Sequence, residues 1–98
     1  MRPYRLTRGA LRELNEIVAY IAEDSPSAAR RVRERVFDAC EKLGRQPGMG
    51  HRRPDITPAD VRFWNIKGRF LVVYSDTNHP IEILRIFRAG RDVEAALR

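Results

Sequence analysis

Residues 61–92 read VRFWNIKGRFLVVYSDTNHPIEILRIFRAGRD, and this stretch decides the fold of the chain. It holds three apolar runs, at Val61–Ile66, Phe70–Tyr74 and Ile81–Phe87. Lys67-Gly68 leaves room only for a tight turn between the first two runs, and a segment rich in Asp, Asn and Pro separates the second from the third. The pattern predicts three antiparallel strands joined by hairpins.

Two amphipathic helices are predicted before these strands. Apolar residues recur at helical spacing from Arg8 to about Ala22, and Thr7 is a suitable N-cap. Ser25 can cap a second helix that has Pro26 at its first position and ends at Gly44. Because the break between them is short, the two helices are expected to form an antiparallel hairpin.

The remaining segments complete a single domain over residues 1–98. Tyr4–Leu6 is a short strand candidate, the Pro- and Gly-rich stretch from Arg45 to Pro58 is a loop, and Arg91–Arg98 can form two helical turns. The predicted fold class is α+β, with two layers: the helical hairpin packs on one face of an antiparallel sheet that also has an N-terminal strand, and a short helix ends the chain.

Composition limits the function classes. The net charge is +6, and the basic residues are arginines except for Lys42 and Lys67, a balance that suits either nucleic acid or an acidic protein partner. Cys40 is the sole cysteine, which excludes an intramolecular disulfide and suits the cytoplasm. Acidic residues interrupt the N-terminal region, so neither a signal peptide nor a membrane span is expected.

Four arginines are candidate binding residues: Arg53 in the loop, Arg62 and Arg85 in predicted strands, and Arg91 at the exit of the last strand. Cations held on rigid strands present their charge to an anionic target without reorganisation. A structural alternative exists for each strand arginine, whose stem can pack at the edge of the core while its head reaches water. Arg91 can equally serve a local salt bridge or helix cap with Asp92.

Catalytic, metal and cofactor sites are not predicted. His51 and His79 are far apart and have no Cys or carboxylate partners at ligand spacing, and no Gly-rich phosphate loop opens a helix. Tyr74 is the sole strand tyrosine and lies in an apolar run, where core packing is expected. Arginine is too basic to exchange protons readily near neutral pH.

The order and spacing of several short motifs resembles the ParE branch of the RelE/ParE toxin superfamily. The motifs are Gly50-x-x-Arg53-Pro-Asp, Val61-Arg62-x-x-x-Ile66, Phe70-Leu-Val-Val-Tyr74, Ile83-Leu-Arg85-Ile and Ala89-Gly90-Arg91-Asp92. The resemblance implies the toxin of a bacterial type II toxin–antitoxin pair, neutralised by a ParD-like antitoxin encoded beside it. ParE members act on DNA gyrase and trap its cleaved-DNA intermediate, whereas RelE members cut messenger RNA on the ribosome.

The residues favour a gyrase-binding poison over a nuclease. RNA cleavage needs a general base and a general acid, and the tail after Arg91 has neither His nor Tyr. Contact with nucleic acid would then be indirect. Two alternatives stay open: a RelE-like, ribosome-dependent endoribonuclease that uses Arg62, Arg85 and Arg91 with an unidentified base, and a toxin-fold binding module whose remaining partner is the antitoxin.

The predicted antitoxin surface consists of apolar side chains that so small a domain is expected to leave uncovered, namely Ile17, Tyr20, Ile21, Phe63 and Trp64. An antitoxin segment is expected to wrap across them by helix-in-groove contact and strand addition.

The C-terminal segment is expected to add little to the core. It contributes only two large apolar residues, Val93 and Leu97. Truncation after Gly90 should therefore spare folding and weaken toxicity.

Overall fold

A computed structural model of the chain describes residues 2–98. The elements in chain order are β1 Tyr4–Leu6, α1 Arg8–Asp24, α2 Pro26–Arg45, a 3-10 turn Pro47–Met49, β2 Arg62–Ile66, β3 Phe70–Ser75, β4 Ile81–Arg88 and α3 Val93–Ala96. The predicted α+β class, with its helical hairpin, N-terminal strand and short C-terminal helix, is confirmed.

The four strands form one sheet in the order β1-β4-β3-β2. β2, β3 and β4 are antiparallel neighbours, whereas β1 runs parallel to β4 and pairs only with Ile81–Ile83. The chain leaves β1 at Leu6 and begins α1 at Arg8, with the Thr7 N–H still donating to the Ile83 carbonyl at 3.0 Å. The outer edge of β4 beyond Leu84 therefore faces α1 instead of another strand.

The predicted N-caps are confirmed at both long helices. The Thr7 hydroxyl accepts a hydrogen bond from the Ala10 N–H, and the Ser25 hydroxyl accepts one from the Ala28 N–H, each at 3.2 Å. Each cap satisfies a backbone donor that has no partner within its own helix. Ser25 also ends α1, so the two helices turn directly into an antiparallel hairpin.

The hairpin buries the main core against one face of the sheet. This helix-side cluster includes Leu14 and Val36 from the helices and Val72, Tyr74 and Ile83 from the strands. Cys40 belongs to the same cluster and is fully buried, as predicted for a small apolar residue. Burial raises the pKa of its thiol to about 12.

A second apolar cluster lies on the opposite face of the sheet. Its centre is Phe63, Val73 and Phe87, and its cover is formed by Ile56, Val61, Leu71, Val93, Ala96 and Leu97. The C-terminal segment contributes the partly buried Val93, Ala96 and Leu97 to this cover, because these strand side chains point away from the hairpin and need a cover of their own. α3 spans four residues instead of the two turns predicted.

A β-bulge in β4 sets the direction of the residues that follow it. Tyr74 pairs with Ile83 and Val73 pairs with Arg85, so Leu84 has no partner across the ladder. The Thr7 hydroxyl donates to the Leu84 carbonyl at 3.2 Å. The extra residue places Arg85 on the same face as Val73, away from the helix-side cluster.

Candidate functional site

A cleft of about 870 Å³ lies between α1 and the outer edge of β4. We call it the α1–β4 cleft. α1 contributes Arg12, Glu13, Glu16 and Tyr20, and the end of β4 and the turn after it contribute residues 85–91. The cleft exists because β1 is too short to cover this part of the strand edge.

Glu13 and Arg85 form an ion pair at the floor of the cleft. The Arg85 guanidinium donates to the Glu13 carboxylate through Nε at 3.1 Å and Nη2 at 2.9 Å. The same carboxylate accepts the Ile86 N–H at 3.0 Å, so it replaces a neighbouring strand at the edge of β4. Arg85 also donates to the Ala96 carbonyl at 3.1 Å and lies over the Phe87 ring at 4.7 Å. Arg85 thereby connects α1, β4 and α3.

Three further arginines face the cleft without carboxylate partners among the described residues. These are Arg12, Arg88 and Arg91, all of them exposed. The Arg88 guanidinium lies 4.7 Å from the centre of the Tyr20 ring, and that of Arg91 lies 5.8 Å from the centre of the Phe87 ring. Stacking on aromatic rings orients a guanidinium and leaves its N–H donors available. The cleft can therefore bind an anion.

Arg62 belongs to a separate ion-pair network at the β2 edge. Its Nε donates to Asp76 and its Nη1 to the Gly50 carbonyl, both at 2.8 Å. Arg52 lies 3.7 Å from Asp76 and 2.7 Å from Asp60. The hydrogen bond from Arg62 holds the pKa of Asp76 below its ordinary value. In this network Arg62 connects the loop before β2 to the turn after β3.

The four predicted arginines do not converge on one surface. Arg85 and Arg91 line the α1–β4 cleft, whereas Arg62 and Arg53 lie at the other side of the sheet, beyond β3. Arg53 pairs with Asp55 in the exposed loop at 2.7 Å, and its hydrogen bond lowers the pKa of that carboxyl. The heads of Arg62 and Arg85 bind carboxylates and both side chains are partly exposed, which is an ion-paired form of the structural alternative.

Tyr74 is fully buried, as predicted, and its hydroxyl organises the loop after α2. It donates to the Pro47 carbonyl at 2.6 Å and accepts the Gly50 N–H at 2.9 Å. Burial raises the pKa of the phenol. A Cβ at position 50 would lie 2.6 Å from the Tyr74 oxygen, which explains why glycine stands there. Tyr74 is thus a structural residue.

The predicted antitoxin surface is only partly uncovered in the folded chain. Tyr20 is 60% exposed, and Ile21 and Trp64 are half-buried. Ile17 and Phe63 are only 6% and 5% exposed, so the expectation that they lack cover is wrong. The hairpin buries Ile17 in the helix-side cluster, and α3 covers the cluster that contains Phe63.

Some residues of the site escaped the sequence analysis. A carboxylate on an amphipathic helix is ordinarily solvated, so the helix pattern does not indicate a role for Glu13, although its spacing of four from Ile17 places it beside the apolar face. Arg12 and Arg88 gave no signal beyond their charge. Asp76 lies in a turn, where aspartate is common for local reasons.

Neither a metal-binding cluster nor a membrane-spanning helix is found among the described residues. Within residues 2–98, no group of three or more His, Cys, Asp or Glu side chains is placed to hold a metal ion. Across the same range, no helix is both long and apolar enough to cross a membrane.

Comparison with known proteins decides the family. A family profile described as the ParE toxin of the type II toxin–antitoxin system parDE matches residues 4–93. The chain belongs to the ParE toxin family. A protein of Sinorhizobium fredii (strain NBRC 101917 / NGR234) whose name describes it as a candidate toxin, Y4kP, is 38% identical over 90 residues, which are 92% of this chain and 78% of that protein.

A solved structure supports the same assignment. A chain in the structure of the chromosomal ParDE toxin–antitoxin system from P. aeruginosa superimposes with a TM-score of 0.72 at 25% identity. The match covers 88% of this chain and 94% of that one. The resemblance to ParE read from the short motifs is confirmed, and membership of a ParDE family implies an antitoxin partner.

Proposed function

We propose that this ParE-family chain arrests bacterial growth by binding DNA gyrase in the cytoplasm, and that a ParD-like antitoxin neutralises it. The observation that supports a binding poison is the α1–β4 cleft, in which Arg12, Arg88 and Arg91 present guanidiniums that bind no carboxylate of the described chain. Such groups recognise an anionic surface of the gyrase complex through charge and bidentate geometry.

The internal contacts of the sheet argue against catalysis by the strand residues. Arg62 and Arg85 are held by carboxylates, and the hydroxyl of Tyr74 is buried with both of its hydrogen bonds satisfied. A binding poison needs no proton transfer, so these residues are free to act structurally.

The ribonuclease alternative rests on two other groups in the cleft. Glu16 and Tyr20 line it beside the unpaired arginines, and Glu16 is exposed with no ion pair among the described residues. A carboxylate and a phenol next to cations are the types of group that general acid–base cleavage of RNA requires. The experiment must therefore test both targets.

The proposed antitoxin surface centres on the exposed apolar groups of α1. Leu11 and Tyr20 are the large hydrophobic residues that stay exposed in the described chain, and Ile21 and Trp64 are half-covered. An amphipathic antitoxin helix would bury them. Because it binds only the folded toxin, it raises the melting temperature by mass action.

The test compares gyrase and ribosome assays on the same purified protein. The chain is expected to block supercoiling and to accumulate cleaved DNA. Arg88→Gln combined with Arg91→Gln should weaken this effect about tenfold, since two charge-assisted contacts are lost. Arg35→Gln is the matched control, because Arg35 is an exposed arginine on α2 and lies outside the cleft. A neighbour-encoded antitoxin should restore supercoiling.

Two other outcomes would replace this proposal. Messenger cleavage on the ribosome that disappears in Glu16→Gln or Tyr20→Phe would establish the ribonuclease. Tight antitoxin binding by a chain that affects neither gyrase nor the ribosome would establish a binding module without toxicity.

A further inference from the structure

The Glu13 carboxylate shows how the edge of β4 binds an acid. It joins two donors at once, the guanidinium of Arg85 at 2.9 Å and the backbone N–H of Ile86 at 3.0 Å. A carboxylate is well suited to this pair, because one oxygen can face the strand while both oxygens face the guanidinium.

A second outward-facing backbone N–H lies two residues further along the strand, at Arg88. Ala89 donates its N–H to the Arg69 carbonyl, across the ladder towards β3. Because the backbone groups of a strand alternate between its two edges, Arg88 directs its N–H to the outer edge, as Ile86 does. No side chain of the described residues accepts this N–H, so this second position of the β4 edge has donors and no acid.

Charge around this second position is unbalanced. Glu13 neutralises Arg85, which leaves Arg12, Arg88 and Arg91 facing the cleft together with a single further carboxylate, that of Glu16. The local excess of positive charge attracts an acidic group. The cleft is thus complementary to a carboxylate in both charge and hydrogen-bond geometry.

We propose that the α1–β4 cleft receives an aspartate or glutamate side chain from an extended segment of the antitoxin. Its carboxylate accepts the Arg88 N–H and pairs with the guanidiniums of Arg12 and Arg91, which line the same cleft. The Glu13 carboxylate likewise accepts the Ile86 N–H and pairs with Arg85. The proposal rests on the antitoxin partnership proposed above and adds the chemistry of the segment that enters this cleft. A peptide fits better than a nucleic acid, since the outward-facing backbone N–H of Arg88 can pair with the backbone of another peptide.

The first test uses a defined probe on the purified full chain. Acetyl-Val-Glu-Val-Glu-Val-amide is titrated while the Arg88 amide resonance is followed. A saturable shift of that resonance is expected, and the matching peptide with Gln for Glu should bind about tenfold more weakly, as loss of a charge-assisted hydrogen bond predicts. Arg12→Gln and Arg91→Gln should weaken binding of the acidic peptide, whereas Arg35→Gln should not.

Several results of this titration would overturn the proposal. Equal affinity for the Glu and Gln peptides would show that the cleft does not recognise a carboxylate. An unmoved Arg88 resonance would place binding elsewhere. Tighter binding of a single-stranded oligonucleotide to the same arginines would identify the cleft as a nucleic-acid site.

A second test uses the toxin–antitoxin complex. Hydrogen exchange at the Arg88 amide should slow in the complex, and the Arg12→Gln/Arg91→Gln variant should bind antitoxin about tenfold more weakly. If the antitoxin neutralises growth arrest while exchange at Arg88 is unchanged, this inference fails and the proposed function stands. If the antitoxin does not bind at all, the proposed function itself fails.

Discussion

Glu13 and Arg85 form a bidentate ion pair that connects α1 to β4, although the two residues are 72 positions apart in the sequence. The pair is largely shielded from water, with 17% of the Glu13 side chain and 30% of the Arg85 side chain exposed. It also holds the Ile86 N–H and the Ala96 carbonyl. The Glu13 carboxylate therefore holds β4 directly and orients the arginine that holds α3.

Removing either partner should destabilise the fold. Glu13→Ala and Arg85→Ala should each lower the free energy of unfolding by about 1–3 kcal/mol, because each leaves a poorly solvated charge without its partner. The double variant should lose less than the sum of the two. Denaturant unfolding measures all three. Glu34→Ala is the control: it removes an exposed carboxylate of α2 and should change stability by less than about 0.5 kcal/mol. Strict additivity would show that the two side chains act independently.

The Tyr74 hydroxyl should contribute more to the free energy of unfolding than the Tyr20 hydroxyl does. Tyr74→Phe deprives the Pro47 carbonyl and the Gly50 N–H of their partner, which should cost about 1–3 kcal/mol. Tyr20→Phe removes an exposed hydroxyl and should cost less than about 0.5 kcal/mol. Thermal unfolding of the two variants side by side makes the comparison. Equal melting temperatures would mean that the loop after α2 is held by other contacts.

Asp76 should make stability fall in acid. Its pKa in the folded chain is lower than its ordinary value of 3.8, chiefly because Arg62 hydrogen-bonds to the carboxylate. A group with a depressed folded pKa contributes stability above its unfolded pKa and loses that contribution as the pH falls through the folded pKa. Asp76→Asn should therefore be less stable than the wild type at neutral pH, and this difference should shrink in the acid range below the unfolded value.

Unfolding curves at a series of pH values test this prediction. The control is Asp38→Asn, which changes an exposed carboxylate on α2 that has no ion pair among the described residues. A stability difference for Asp76→Asn that stays constant down to strong acid would contradict the role assigned to the Arg62 contact.

Truncation after Gly90 should now be expected to destabilise the chain. It removes Val93 and Leu97 from the cover of the second apolar cluster and takes the Ala96 carbonyl away from Arg85. Both side chains are only partly buried, so the loss should be about 2–3 kcal/mol. The exposed Phe87 should increase the binding of a hydrophobic dye. The free energy of unfolding and the dye fluorescence measure the effect. A truncated chain as stable as the full chain would show that truncation after Gly90 spares folding, as the sequence predicts.

The elements of the fold could be predicted because their signals are local. Thr7 and Ser25 stand immediately before apolar residues at helical spacing, and Lys67-Gly68 allows only a tight turn between two strands. The pairing of β1 with β4 has no such signal, because it joins segments at opposite ends of the chain. The open strand edge beside α1, and the cleft it creates, follow from that pairing.

The roles of the arginines depend on partners that no local pattern reveals. Arg62 binds Asp76 from 14 residues away, and Arg85 binds a carboxylate on a different layer of the fold. Charge within an apolar run suggested binding residues, whereas the folded chain uses both for internal contacts. Arg12 and Arg88 differ from Arg62 and Arg85 in having no carboxylate partner among the described residues. This difference is visible only in the folded chain.

The shortness of β1 has a consequence for how copies of the free toxin behave towards one another. In the described chain the edge of β4 has no neighbouring strand at Arg88, and a strand edge of this kind can pair with the same edge of a second molecule and begin aggregation. Here such contact would bring Arg12, Arg88 and Arg91 of both molecules together, and their mutual repulsion keeps the edges apart. Salt shortens the reach of this repulsion to a few ångströms, about 3 Å at 1 M. Sedimentation across a salt series should therefore show monomers at low ionic strength and self-association at high ionic strength.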